Sequence, residues 1–170
     1  MNQADTRAPD TAERHITALY QAHALSLARL ALLMLGDRAA AEDVVQDAFL
    51  GLYRRWGKLA STDAAVGYLR ASVLNGCRTA LKRRSRHAIH LDDQSLESAE
   101  TALLKSEEQQ MVIAAIRRLP ARQREALVLR YHLDMTEDQA AQAMGASRSA
   151  AKSATHRAIV AVGRMLKGES

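Results

Sequence analysis

Residues that interrupt helices are scarce along this chain. Only two of its 170 residues are proline and eight are glycine, whereas Ala, Leu, Arg and Glu dominate. Proline and glycine are the residues least compatible with a helix interior, so a chain nearly free of them can be helical over most of its length. Aromatic residues make up only 4%. We therefore expect an all-α protein.

Apolar residues recur at helical spacing in three segments of the first half. The first segment ends at Gly36, and Asp37 can cap the second. That second segment ends near Gly57. The third follows the polar stretch Ser61, Thr62 and Asp63 and runs to about Arg84. The pattern predicts three consecutive helices that pack together.

The sign of the charge changes twice along the chain, although the net charge is only +5. Residues 54–90 are strongly basic, the next twenty are mostly acidic, and the end of the chain is basic again. The middle segment also has few apolar residues and no sustained period, as solvated linkers do. We expect two small helical domains, residues 12–86 and 109–168, joined by a flexible acidic linker over residues 87–108.

The last forty residues predict a helix-turn-helix. Thr136 and Gln139 fit a capping box, Gly145 ends a short helix, and Ser147 caps the next one. Two helices joined by a tight glycine turn form this motif, and its second helix can lie in the major groove of DNA. An ordinary solvated helix end is the alternative. Candidate contacts with duplex DNA are Arg148, Ser149, Lys152, Ser153, His156 and Arg157.

Basic and aromatic residues are interleaved in and just before the third predicted helix. This combination suits single-stranded nucleic acid, because bases stack on rings while cations follow the backbone. The alternative places the rings in the core, which we favour for Tyr53 and Trp56, whereas both possibilities stay open for Tyr68. Candidate contacts on this helix are Tyr68, Arg70, Asn75, Arg78, Lys82 and Arg83.

Several segments resemble bacterial sigma factors, in the order that family has them. AEDVVQDAFL, residues 41–50, resembles the polymerase-binding helix. The segments LPARQREALVLRYHLDMTEDQAAQAMG and SRSAAKSATHRA are similar to the small two-domain extracytoplasmic-function (ECF) sigma factors, and YLRASVLNGCRTALKRR resembles their actinobacterial type. The resemblance covers about residues 12–166.

The resemblance implies three partners: core RNA polymerase, promoter DNA, and an anti-sigma factor or equivalent regulator. The minus ten element would be read as a separated strand by the loop Ser61, Thr62 and Asp63 and by the third helix. The last helix would read the minus thirty-five element in duplex. The residues that would meet the clamp coiled coil of the polymerase are Asp43, Val44, Gln46, Asp47 and Phe49.

At four positions the chain departs from the family. Thr79 stands where Asp is frequent, Ala150 and Ala151 stand where Thr and Val usually open the recognition helix, and Ala154 replaces a longer polar residue. Because fewer side chains can then reach base edges, the promoter sequence stays open.

Other function classes find little support. The sequence has no phosphate-binding glycine loop and no HExxH motif, so we expect neither enzymatic activity nor a cofactor. His87 and His90 lack further ligands for a metal site, and Cys77 is the only cysteine. No apolar run suggests membrane insertion, and we expect a cytoplasmic protein. Two alternatives to a sigma factor are a helix-turn-helix regulator that binds DNA alone and a helical protein-binding adaptor.

Overall fold

The computed structural model describes residues 7–59, 61–87 and 106–169. Throughout these residues the regular structure is helical, which confirms the expected fold class. The chain divides into two compact units, residues 1–94 and 95–170. Most of the acidic linker, including His90, lies outside the described residues. Its ends do not: His87 closes the last helix of the first unit, and Glu107 and Glu108 begin the first helix of the second.

Three helices form the first unit: α1 (Arg7–Leu35), α2 (Arg38–Arg55) and α3 (Thr62–His87). A short 3-10 turn, Trp56–Lys58, follows α2. Each helix packs against the other two. The largest fully buried side chains of the unit are Leu30, Met34, Leu52, Leu69, Val73, Leu74 and Cys77.

The corner between α1 and α2 is tied to the far end of α3. Gly36 has a φ of +67°, which lets the chain turn out of α1. As expected, Asp37 caps α2, its carboxylate accepting a hydrogen bond of 3.3 Å from the Ala40 amide. Arg84 donates to the Leu35 carbonyl and lies 3.4 Å from the Asp37 carboxylate. One arginine of α3 therefore stabilises the end of α1 and the beginning of α2.

One segment of α1, Thr11–Leu35, is long and apolar enough to cross a membrane by length and composition. The sequence pattern had not indicated such a run. In the folded unit α1 packs against both α2 and α3, and Leu27, Leu30 and Met34 are buried there. Part of the apolar character of this segment therefore comes from residues that α1 contributes to the core.

Two glycines allow α2 and α3 to approach closely. An added Cβ on Gly76 of α3 would lie 2.8 Å from the Val44 Cγ1 atom of α2. On α2, a Cβ on Gly51 would clash with the Tyr68 hydroxyl oxygen of α3 and lie 3.5 Å from its Cζ atom. A larger residue at Gly76 would strain the packing against Val44, and one at Gly51 would displace the Tyr68 hydroxyl.

Four helices form the second unit: α4 (Glu107–Arg117), α5 (Ala121–Tyr131), α6 (Glu137–Met144) and α7 (Arg148–Leu166). The last helix contacts each of the other three and is the centre of the unit. A cluster of apolar residues joins α4 and α5 to α7, and its members are Ile116, Leu119, Leu127, Ala158, Ala161, Val162 and Met165.

The helix-turn-helix forms as the sequence predicts. Thr136 and Gln139 make the capping box, with hydrogen bonds of 3.1 and 2.9 Å. Gly145 has a φ of +61°, and the next amide, that of Ala146, bonds back to the Ala141 carbonyl. Ser147 then caps α7 by accepting a 3.1 Å bond from the Ala150 amide. A turn of three residues thus joins α6 to α7.

One side chain expected in the core is exposed. Tyr53, which we favoured for the core of the first unit, is 49% exposed. It directly follows the buried Leu52, and one residue turns an α-helix by about 100°. Tyr53 therefore points past the edge of the buried stripe.

Substituting Gly76 by Ala tests the close contact of α2 and α3. We expect the free energy of unfolding to fall by about 1–3 kcal/mol, because the branched Val44 side chain has little freedom to move aside. Gly67→Ala is the matched control on α3, since a Cβ there meets nothing within 4 Å. That variant should be neutral or more stable by up to about 1 kcal/mol. Urea unfolding followed by Trp56 fluorescence reports the first unit, and equal stabilities would contradict the contact.

Candidate nucleic-acid and polymerase interfaces

An acidic and apolar stripe lies along the outer side of α2. Asp43, Gln46, Asp47 and Leu50 are all exposed, and Leu50 is 55% exposed. Their spacing of three, one and three residues places them on one face. A large apolar side chain beside two carboxylates suits a protein partner, because the apolar part contributes buried area and the charges contribute orientation.

Two residues that were predicted to contact polymerase, Phe49 and Val44, do not lie on this exposed stripe. Phe49 is only 7% exposed and packs edge to face on Tyr20, with ring centroids 5.0 Å apart. Val44 is half-buried against Gly76. Both were carried over by position from the family resemblance, and both support the helix from its inner side. Sequence reasoning missed Leu50, although its spacing from Asp43 and Asp47 could have indicated it.

The stretch predicted to be a DNA-reading loop is the start of α3. Ser61 precedes the helix, and its hydroxyl accepts a 3.1 Å hydrogen bond from the Ala64 amide. Thr62 and Asp63 form the first turn, and both are exposed. Ser61 is therefore used as a helix cap, while Thr62 and Asp63 present their side chains at the helix N-terminus.

Four of the predicted strand-binding residues share one face of α3. Tyr68, Asn75, Arg78 and Lys82 follow one another at spacings of seven, three and four residues. Arg78 donates a 3.0 Å hydrogen bond to the Asn75 side-chain oxygen, so these two polar groups are held together. The face carries basic, amide and aromatic groups in one row.

Arg70 and Arg83 are placed differently. Arg70 follows Tyr68 by two residues, which is about 200° of helix rotation, and it is partly buried. Arg83 is exposed but lies about 100° around the helix from Lys82. The structure therefore does not bring these two residues onto the face that the other four share.

The Tyr68 ring is held by α2. Its hydroxyl end lies against Gly51, and the Arg55 guanidinium is over the ring, 5.6 Å from Cζ to the ring centroid. Tyr68 is half-buried. It thus belongs to the packing of α2 on α3 and to the basic face at the same time.

Five of the six predicted duplex contacts lie on the half of α7 that faces away from its buried residues, Ala151 and Ala158, whereas Arg148 lies beside that half, toward α6. All six are exposed. Because Ser147 caps the helix just before them, the first turn is well defined and its amides point outward. These residues are Arg148, Ser149, Lys152, Ser153, His156 and Arg157.

The two outer arginines of α7 have different surroundings. Arg148 makes two ion pairs to α6 through Nε, 3.4 Å to Glu137 and 3.5 Å to Asp138. Arg157 lines a shallow groove with Gln123 and Arg164. Arg148 is therefore held near the turn, whereas Arg157 lies in a basic setting about 13 Å further along the helix.

Within the described part of the chain, no group of three or more His, Cys, Asp or Glu residues could hold a metal ion.

Comparison with known protein families gives two matches. The model described as "Sigma-70 region 2" matches residues 19–87, and the model described as "Sigma-70, region 4" matches residues 109–162. The first covers the second half of α1 and all of α2 and α3, with the acidic stripe and the basic face. The second covers most of the helix-turn-helix unit.

The chain is also similar to proteins that are named as sigma factors. The chain is 26% identical to the RNA polymerase sigma-E factor of Streptomyces avermitilis over 134 residues, which are 79% of this chain and 75% of the relative. It is 25% identical to the ECF RNA polymerase sigma factor BldN of Streptomyces coelicolor, over 89% of this chain and 60% of BldN.

Two solved structures share the fold. The sigma factor RpoE of Bartonella quintana, in complex with the anti-sigma factor NepR, has a TM-score of 0.71 at 22% identity, over 88% of this chain and 97% of that chain. CnrH, in complex with the cytosolic domain of CnrY, has a TM-score of 0.66 at 21% identity, over 93% and 91%.

A basic three-helix unit followed by a helix-turn-helix unit defines a transcription initiation factor with two DNA-facing domains. The two family models match most of the chain in the expected order. The chain belongs to the sigma-70 family of RNA polymerase sigma factors and is of the ECF type. It directs bacterial RNA polymerase to promoters and initiates transcription there.

Proposed function

We propose that the work of this sigma factor is divided among three surfaces. The exposed α2 stripe, with Asp43, Gln46, Asp47 and Leu50, binds core RNA polymerase. The α3 face binds the minus ten element as a separated strand, and the exposed half of α7 binds the minus thirty-five element as duplex. The observation that carries the proposal is that the acidic stripe and the basic face lie on different helices of one unit. Both can therefore be occupied at once.

The remaining inferences concern partners and location. RpoE, which shares the fold, was solved in complex with the anti-sigma factor NepR, and CnrH was solved with the cytosolic domain of CnrY. By analogy we propose that an anti-sigma factor or an equivalent regulator binds this chain. Because the chain belongs to the sigma factor family, we further propose that it works in the cytoplasm without enzymatic activity or cofactor. The domain limits 12–86, 87–108 and 109–168 also stay a prediction.

Run-off transcription tests the proposal as a whole. Core polymerase is incubated with genomic fragments, with and without the protein, and new discrete products are expected only when the protein is present. A stand-alone regulator would bind the fragments in the absence of core polymerase, and its addition to core polymerase would give no new product. A protein-binding adaptor would neither bind DNA nor change transcription. Either outcome would contradict the proposed function.

Charge reversal tests the polymerase surface. Replacing Asp43 and Asp47 by Lys should weaken binding to core polymerase about tenfold or more, because both favourable charges become unfavourable. Glu13→Lys, an exposed charge reversal on α1 of the same unit, is the control and should bind normally. Fluorescence anisotropy with labelled protein measures the affinity, and circular dichroism checks that the variants are helical. Native affinity of the double variant would refute the assignment.

Alanine substitutions on α3 test the strand-binding face. Asn75→Ala and Arg78→Ala should impair promoter opening more than initial duplex binding, since the hydrogen-bonded pair faces the separated strand. Permanganate footprinting reports the open bubble, and filter binding at low temperature reports the closed complex. Arg70→Ala, which lies off this face, should open promoters normally. Unchanged thymine reactivity in both Asn75 and Arg78 variants would contradict the assignment.

The two arginines of α7 should have separable roles. Arg148, at the helix N-terminus, is the expected base reader, and its loss should cost about 1–3 kcal/mol and relax preference at one base pair. Arg157 is the expected phosphate anchor, so Arg157→Ala should weaken all sequences alike and lower the salt slope by about one. Holoenzyme binding to single-base upstream variants at several salt concentrations separates the two effects. If Arg148→Ala changes only the salt slope, the reader is Ser149 or Lys152 instead.

A further inference from the structure

Three residues of α2 face α3 at spacings of seven and four: Val44, Gly51 and Arg55. Val44 packs against Gly76, and Gly51 receives the Tyr68 hydroxyl. Arg55, the last residue of α2, places its guanidinium over the Tyr68 ring. The end of α2 therefore meets the face of α3 that we assign to the separated strand.

The contact between Arg55 and Tyr68 is a cation–π pair. The distance of 5.6 Å from the guanidinium carbon to the ring centroid is within the range of about 6 Å over which such pairs attract. The ring itself has little room to move, because its hydroxyl end is seated against Gly51. A ring held in this way favours one position of the guanidinium that lies over it.

The Arg55 guanidinium lies over the Tyr68 ring, while Arg55 as a residue is exposed to solvent. Guanidinium planes stack on unpaired bases, and the positive charge also attracts the phosphate backbone. A long, flexible side chain is usually a poor stacking group because it must be ordered on binding. Here the cation–π contact with Tyr68 favours one position of the side chain and lowers that cost.

We propose that Arg55 is a further DNA-contacting residue, on whose outer guanidinium face an unpaired base of the separated strand stacks. Tyr68 positions Arg55, and Gly51 positions Tyr68. The inference rests on the proposed function of the α3 face and extends that site onto α2, a helix otherwise assigned to polymerase. It makes Tyr68 a support for the stacking group as well as a part of the basic face.

The test uses holoenzyme preformed at saturating protein. Its probe is the non-template strand of the fragment that gives the strongest run-off product, with a single abasic position moved along the strand. Arg55→Ala should weaken strand binding about tenfold and abolish the effect of one particular abasic position. Arg55→Lys should behave like Arg55→Ala, because it keeps the charge but loses the plane. Arg54→Ala, the exposed neighbour about 100° around α2, is the matched control and should bind as the native protein.

Two further variants test the positioning. Tyr68→Leu should reduce binding as Arg55→Ala does, and combining the two should add little, because one removes the support of the other. Gly51→Ala should give a partial loss of the same abasic sensitivity by displacing the Tyr68 hydroxyl. Circular dichroism and Trp56 fluorescence establish that each variant is folded. The Arg55 and Arg54 variants alone decide the question if Gly51→Ala unfolds.

The outcomes separate this inference from the function on which it rests. Native binding by Arg55→Lys would show that Arg55 contributes charge alone, and native abasic sensitivity in Arg55→Ala would show that no base stacks there. Either result overturns the inference while Asn75→Ala and Arg78→Ala remain defective. If those two variants also bind the strand normally, the strand-binding function of α3 is itself wrong.

Discussion

The close approach of α2 and α3 is the contact on which the first unit depends. It is possible because Gly76 admits Val44 and Gly51 admits the Tyr68 hydroxyl. Because the inner side of α2 packs against α3, the acidic stripe on its other side points outward. The same packing turns the basic face of α3 to solvent beside the end of α2. A larger residue at Gly51 or Gly76 would therefore disturb both surfaces, although it belongs to neither.

In the second unit, small residues likewise allow close helix packing while one side of a helix stays open. Its last helix contacts the three other helices and still presents about half of its surface to solvent. Ala151 and Ala158 are buried on the inner side and allow the neighbouring helices to come close. Gly145 and Ser147 then set the angle and the start of the helix through a left-handed turn and a cap. The side chains that would read DNA are thus positioned by residues that do not touch it.

Local signals explain how much could be predicted from the sequence. The glycine stop at Gly36, the caps at Asp37 and Ser147, and the turn at Gly145 depend on neighbouring residues only, and all were predicted correctly. Which face of a helix is covered depends on residues far along the chain. The preference of aromatic rings for the core therefore failed for Tyr53, which lies one position past the buried Leu52. The family resemblance indicated which stretch of α2 would contact polymerase but not which side chains point outward. The predicted contacts therefore included the buried Phe49 and omitted the exposed Leu50.

Charge shows the same limit, because an arginine that adds to the basic surplus of the sequence can be a structural group. Arg84 belongs to the most basic stretch of the chain, yet it stabilises the corner between α1 and α2. Arg124 donates to the carbonyls of Arg117 and Leu119 at 2.7 and 2.9 Å and so closes the end of α4. Both satisfy backbone groups that a helix end leaves without a partner. A basic surplus in the sequence therefore overstates the charge available to DNA, and only those cations that the packing leaves on an open face can follow its backbone.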